Sequence, residues 1–340
     1  MSLLSTLEHS INKKKYYEIF LLKIIFILPF FFCVLRPLNS TDTEGYYEYF
    51  VNASLRNPKP EISYVLISFF SKLIGGEVYG FRIVLFIYTL LGTLLLFKIL
   101  EKSDNIVLSF FVYFSFAYLY QMNIQMRSCV ANLIFLYSIY DIEKKNWKLY
   151  YLKMLLAFFF HNSSIFFFVI YPYSCFLIKR RKLLFYMPLF FVFCAYFFGA
   201  IISFIISFAD STGFYALRVL KTYTEFSKHY VNPLNRFSLF ILLVYYFYLF
   251  KFSINKLKDI EVISLSIMAL SIFCYFFGSF HLPIIAERYP EALNLIFVYF
   301  FPLLEKRIKE KYIFIILVYI YLTLVNMQYG TFRTLVGYFL

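Results

Sequence analysis

Arg127 stands between two apolar runs, in Gln121-Met-Asn-Ile-Gln-Met-Arg127-Ser-Cys-Val-Ala131, and the nearest charged residues along the chain are Asp104 and Asp141. No sequence neighbour neutralises it. A guanidinium in or beside a bilayer is costly and marks a functional position whose anionic partner has to be found. Its fork of donors holds a phosphate bidentately, which a lysine does less well. The bland reading is an interfacial arginine that snorkels to water. That reading leaves the polar neighbours Asn123 and Gln125 unexplained. In a continuous helix Asn123 and Arg127 share a face. The expected partner of Arg127 is a substrate anion rather than a protein carboxylate.

His161 opens the polar group His161-Asn162-Ser163-Ser164, directly after the apolar run 155–160. A lone histidine there is either a hydrogen-bonded core residue or a general base, and its unperturbed titration range suits the second role. A third polar group is Arg36-Pro-Leu-Asn-Ser-Thr-Asp42-Thr-Glu-Gly-Tyr46-Tyr47, followed by Glu61-Ile-Ser-Tyr64. It reads as an acid or base facing a polar substrate, or as a solvated loop. The Asp42-Thr-Glu44 spacing is too common to define a metal pair. Arg288-Tyr289, within Ala286-Glu-Arg288-Tyr-Pro290, adds a second arginine that Glu287 and Glu291 are placed to neutralise. Two arginines on one face suit a pyrophosphate better than one.

The elements that position these groups are membrane helices. Of the 340 residues 62% are hydrophobic and the mean hydropathy is +0.72, more apolar surface than a soluble chain of this size can cover. The chain is predicted to be an all-α polytopic membrane protein, a single transmembrane domain over 1–340 with no separate soluble domain. The 48 Phe and 33 Tyr fit an AT-rich base composition as readily as a function. The net charge of +14 comes from short basic clusters between apolar runs, such as Lys13-Lys14-Lys15, Lys144-Lys145 and Lys179-Arg180-Arg181-Lys182. That is the pattern of cytoplasmic loops, not of nucleic-acid binding. The five cysteines lie in apolar surroundings without CxxC or metal-ligand spacing. The first apolar run ends at Arg36 without a small-residue cleavage site and reads as an uncleaved signal anchor.

With basic clusters inside, the N-terminus is cytoplasmic and roughly ten to eleven membrane segments follow, each span needing about 20 residues. The run 62–74 is short for a span and is predicted to be re-entrant or interfacial, ahead of a crossing at 81–100. Residues 106–120 go out and 128–140 return, placing Arg127 at the outer end of a helix. The stretch 149–178 has basic clusters at both ends, so both ends lie inside. Its length suits two shortened helices meeting near His161. Broken helices at membrane depth are tolerated where they line a cavity. Outer loops are expected at about 37–61, 209–236 and 279–291.

No Walker motif, dinucleotide-binding glycine turn or HExxH occurs, and no carboxylate interrupts the spans as in a proton-coupled transporter. Neither a cofactor nor a metal is expected.

Taken in order, the pieces resemble the EpsG family of Wzy-like polysaccharide polymerases. They are Arg36 with Asp42 and Tyr46 or Tyr47, then Glu61-Ile-Ser-Tyr64, then Gln125-Met-Arg127-Ser-Cys-Val-Ala131, then Leu155-Leu-Ala-Phe-Phe-Phe-His161-Asn-Ser-Ser164, and more loosely Arg288-Tyr289-Pro290. The chain departs from the family pattern at Ser128, where Gln is frequent. The resemblance implies a membrane glycosyltransferase of GT-C-like architecture at the outer face of the bacterial cytoplasmic (inner) membrane. It would join polyprenyl-pyrophosphate-linked oligosaccharide repeat units, with undecaprenyl as the polyprenyl carrier. The product would be capsule, exopolysaccharide or O-antigen. A protein that regulates chain length is a possible partner. Carried over to this chain, it implies His161, Arg127, Asp42 and Glu61 as catalytic residues. Arg288, Tyr289, Arg36, Tyr46, Tyr47, Asn123, Gln125 and Asn162 are the expected substrate-binding residues. The alternative function is a flippase or transporter of lipid-linked glycans, which calls for polar groups along a whole transmembrane path. An acyltransferase would need cytoplasmic access that His161 lacks.

Overall fold

The computed structural model describes residues 3–37, 41–54, 61–198 and 232–329, and these are helical almost throughout. The chain is thus an all-α membrane protein. Among the described residues three helices are long and apolar enough to cross a bilayer unaided: Lys15–Leu35, Tyr79–Leu100 and Asp259–His281. Other apolar helices are shorter or broken, because polar groups and glycines interrupt them. The chain groups into two compact units, Met1–Val169 with Val298–Leu340, and Ile170–Phe297.

In the first unit α1 (Leu3–Leu35) presents Phe20, Leu21, Ile24 and Leu28 outward, as a lipid-facing helix does, and buries Phe26 and Cys33. Phe26 packs edge-on against Phe97, Phe110 and Tyr118. The helix α2 (Thr41–Val51) occupies much of what the sequence presents as an outer loop. Glu44 near its start favours it, since acids complement the positive end of the helix dipole.

The helix α3 (Ile62–Leu100) is two helices joined at Gly76, whose φ of 63° and ψ of −153° suit glycine alone. The short arm before the kink covers the run 62–74, and the span after it covers the predicted crossing. Next come α4 (Ile106–Tyr113), begun by Asn105 accepting from Leu108 N, and a π-helical segment, Phe114–Met122. Gln125 then leaves helical geometry and α5 (Met126–Glu143) begins. The chain doubles back there, since Tyr113 Oη and Cys129 Sγ lie 3.5 Å apart across the break.

The helix α6 (Trp147–Phe160) stops at His161, whose φ of −155° and ψ of 121° are extended, and a 3₁₀ segment follows, Asn162–Val169. Tyr150 Oη donates to Phe167 O at 2.6 Å and Tyr151 stacks on Phe168, so these arms run back along each other. The break expected at His161 is therefore present.

The second unit contains α7 (Ile170–Lys179), a 3₁₀ turn Arg181–Phe185, α8 (Met187–Phe198), α9 (Arg236–Lys251), α10 (Asp259–His281) and α11 (Pro283–Leu293). The helix α10 is almost wholly buried, with Ser174 and Ser266 paired at 2.8 Å. The expected outer loop at 279–291 is instead mostly helix. Leu282 breaks the chain, Pro283 starts α11 with the fixed φ that suits a first helical position, and Gly278 admits Ala286 against its backbone. Most of the expected loop at 209–236 lies outside the described residues. A 3₁₀ turn, Asn294–Ile296, ends the unit. Back in the first unit, α12 (Phe297–Arg307) and α13 (Lys311–Tyr329) meet through Phe301 and Tyr321, 5.1 Å apart.

Candidate functional site

Glu61 precedes the first turn of α3 in extended conformation, and its carbonyl accepts from Val65 N. Its side chain does not cap the helix. It turns instead to the two residues that stood out in the sequence. Oε2 pairs with Arg127 Nη1, and Oε1 lies 2.9 Å from His161 Nδ1. All three side chains are largely withdrawn from solvent, with relative exposures of 6% for Glu61, 13% for Arg127 and 16% for His161.

Arg127 therefore has a protein carboxylate as its partner, which corrects the expectation of a substrate anion alone. The acid lies 66 residues away, on an element that only packing brings near. Arg127 lies in the first turn of α5, where a cation opposes the helix dipole. Glu61 offsets both that and the cost of burying the guanidinium. The pairing leaves capacity: Arg127 Nε is buried and has no hydrogen-bond partner among the described residues. Three rings surround the guanidinium carbon, with centroids at 5.0 Å for Tyr46, 5.7 Å for Tyr64 and 5.9 Å for Tyr49. Such aromatic faces stabilise a partly desolvated cation.

An ionised carboxylate only accepts hydrogen bonds, so the Glu61–His161 contact puts the proton on Nδ1. In the neutral ring the lone pair is then on Nε2. His161 is held at the helix break by its N–H donating to Ala157 O at 2.9 Å, and its own carbonyl receives Ser164 N at 3.0 Å. The break supplies the backbone freedom that aims the imidazole away from the axis of α6.

The surrounding residues divide by role. Tyr64 is fully buried, donates from Oη to Tyr46 O at 2.6 Å and packs against Tyr88. It is thus a wall that ties α2 to α3. Tyr46 is buried and Tyr47 is half-buried against Phe50 and Phe81. Tyr49, which the sequence did not single out, is exposed beside Arg127. Its signal was its place three residues beyond Tyr46, on one helical face.

Arg36 is buried, and its Nη1 donates to Met122 O at 2.8 Å, at the end of the π-helical segment. Arg82 donates from Nη1 to Val34 O at 3.1 Å and to Arg36 O at 2.6 Å, completing the end of α1. These two arginines fix the approach to the Asn123–Gln125 turn. Asn123 does not share a helix with Arg127, because Gln125 breaks the chain between them. Gln125 is tied inside that turn, with Nε2 donating to Tyr120 Oη at 3.2 Å and Oε1 accepting from Ser128 Oγ at 3.0 Å. Asn162 is exposed beside His161. The side chain of Asp42 lies outside the described residues. Arg288 and Tyr289 belong to α11 in the second unit, with Arg288 exposed. No group of three metal-ligating side chains occurs among the described residues.

A largely buried Glu–His pair with an arginine on the same carboxylate has the chemistry to move a proton beside an anion. The chain belongs to the EpsG family, whose model matches residues 19–336. That is a Wzy-like polymerase family, which makes the chain a membrane protein of polysaccharide synthesis. No curated protein and no solved structure matches the chain.

Proposed function

We propose that the protein polymerises polyprenyl-pyrophosphate-linked oligosaccharide repeat units at the outer face of the bacterial cytoplasmic membrane. The single observation that carries this reading is the Glu61 carboxylate shared by His161 and Arg127. An acceptor sugar hydroxyl gives its proton to His161 Nε2 as its oxygen attacks the anomeric carbon of the donor glycan. The bond from that carbon to the pyrophosphate oxygen breaks, and the electron pair leaves with the lipid pyrophosphate. Arg127 stabilises the charge that grows on that oxygen, in a site whose burial strengthens the interaction. The energy resides in the donor bond, so no nucleotide site is required.

Glu61 is then a positioning residue. Both of its oxygens are engaged, one fixing the tautomer of His161 and the other the plane of the guanidinium. Arg36 and Arg82 position the turn that leads into Arg127. Tyr49, Asn162 and Tyr47 face the substrate sugars.

The test uses purified protein in proteoliposomes loaded with lipid-linked repeat units. A ladder of longer glycans is expected, with Arg127→Lys losing most of it. Transport of the lipid-linked glycan without any change of length would show a flippase instead. Undiminished elongation by Arg127→Lys would remove that residue from the mechanism.

A further inference from the structure

The second unit carries a basic pocket that the proposed reaction does not use. It is lined by Ile178, Lys179, Arg180, Arg181, Lys182, Leu183 and Asn255, with a volume of about 450 Å³. It lies between the end of α7, the following 3₁₀ turn and the loop after α9. Volumes of this size suit a small ligand or headgroup, on the order of 300–1,000 Å³.

Arg181 forms a fixed wall. Its Nη2 pairs with Asp259 Oδ1 at 2.5 Å, and its Nη1 donates to the carbonyl of Leu257. Asp259 is thereby occupied. Lys179, Arg180 and Lys182 are exposed and form no ion pair among the described residues. The pocket thus holds an excess of three cations over an apolar floor of Ile178 and Leu183. Exposed aromatic rings neighbour the lining residues along the chain at Phe176 and Tyr186, and exposed Phe250 packs on Phe185 with ring centroids 5.6 Å apart. Aromatic rings next to clustered lysine and arginine mark the boundary between hydrocarbon and water. The same rule assigns this basic end to the cytoplasm.

The geometry points to a binding site for the phosphate of an anionic phospholipid headgroup in this pocket. Arg180 and the two lysines contact the phosphate, Asn255 contacts the polar headgroup, and the acyl chains lie along the rings of Phe176 and Phe250. Free phosphate shares this chemistry, but it would gain nothing from the apolar floor or the exposed rings.

Full-length protein in phosphatidylcholine nanodiscs, supplemented with dioleoyl phosphatidylglycerol, is examined by native mass spectrometry for lipid retained per chain. Lys179→Gln with Lys182→Gln is expected to lower phosphatidylglycerol retention by about 25-fold, from about fivefold for each of the two cations removed. Lys144→Gln with Lys145→Gln, which removes the same charge from another basic turn, is expected to leave retention unchanged. Unchanged retention in the first variant, or equal loss in the second, would overturn the site. Millimolar inorganic phosphate is expected to leave the lipid bound. Displacement of the lipid by phosphate alone would overturn the lipid assignment in favour of free phosphate.

Discussion

Glu61 Oε1 and His161 Nδ1 lie 2.9 Å apart although 100 residues separate them, because the start of α3 and the break after α6 meet in one packed unit. The contact joins an acid and a histidine, each unremarkable alone, into one hydrogen-bonded pair, the base of the proposed reaction. Replacing Glu61 with Gln keeps the shape but removes the charge that favours the Nδ1–H tautomer. Elongation is expected to fall by about 10²-fold or more while substrate KM changes little. A KM effect alone, with full turnover, would make Glu61 a substrate-binding residue.

His161→Ala removes the proposed proton acceptor itself. Initial rates of glycan elongation should drop on the order of 10²–10⁴-fold. The thermal midpoint should shift little, since Glu61 keeps Arg127 as its partner and no buried charge is left unpaired. An elongation rate within threefold of the parent would exclude His161 as the base.

The Glu61–Arg127 pair is a stability element as well. Truncating one member of a buried ion pair leaves an uncompensated charge and costs about 3–5 kcal/mol. Glu61→Ala and Arg127→Ala should each destabilise strongly, and the double variant should lose much less than their sum. Chemical denaturation in matched micelles measures the cycle. Strict additivity would mean that the two charges do not support each other in the folded protein.

Glycine substitutions separate backbone strain from crowding. A side chain at Gly76 would meet no atom within 4 Å, so Gly76→Ala should destabilise only through its φ of 63°, by about 1–3 kcal/mol. At Gly45, inside α2, there is also open space, and alanine should stabilise by roughly 0.5–1 kcal/mol. At Gly278 an added Cβ would collide with the backbone nitrogen of Ala286, so alanine should force α10 and α11 apart. Thermal midpoints in the order Gly45→Ala, parent, Gly76→Ala are expected, and a reversed order would contradict the kink geometry.

The turn after α3 gives a pH dependence. Burial, then the nearby Lys153 ammonium, lowers Lys102 from the ordinary 10.5 to about 8, against the opposing pull of Asp141. Between these values the unfolded chain binds a proton that the folded chain lacks, so stability should rise as pH climbs through that window. Below it both states are protonated and the cost of burying the ammonium is complete. Lys102→Met should abolish the rise, as read from unfolding midpoints between about pH 7 and 10. The same slope in parent and variant would assign it to another group.

Hydropathy and chain length alone determined that the chain is an all-α membrane protein. They also placed the kinked arm before the crossing at Tyr79–Leu100 and the break at His161. Each follows from the local fact that a span needs a certain run of apolar residues and that polar or glycine-rich positions interrupt it. The isolation of Arg127 in the sequence also singled out a residue that the structure pairs with Glu61. Its partner was not legible there, because Glu61 is 66 residues distant and looks like a loop acid until α3 packs against α5. The same holds for Tyr49, which faces the guanidinium only through the rotation of α2, and for Arg82, which acts on the end of α1. The shared face expected for Asn123 and Arg127 failed at Gln125, where one non-helical residue changes the direction of every side chain that follows. Helical period and hydropathy are local quantities and set which segments enter the membrane. Which side chains meet depends on how the helices break, rotate and pack, and only the tertiary structure decided that Glu61, Arg127 and His161 share one carboxylate.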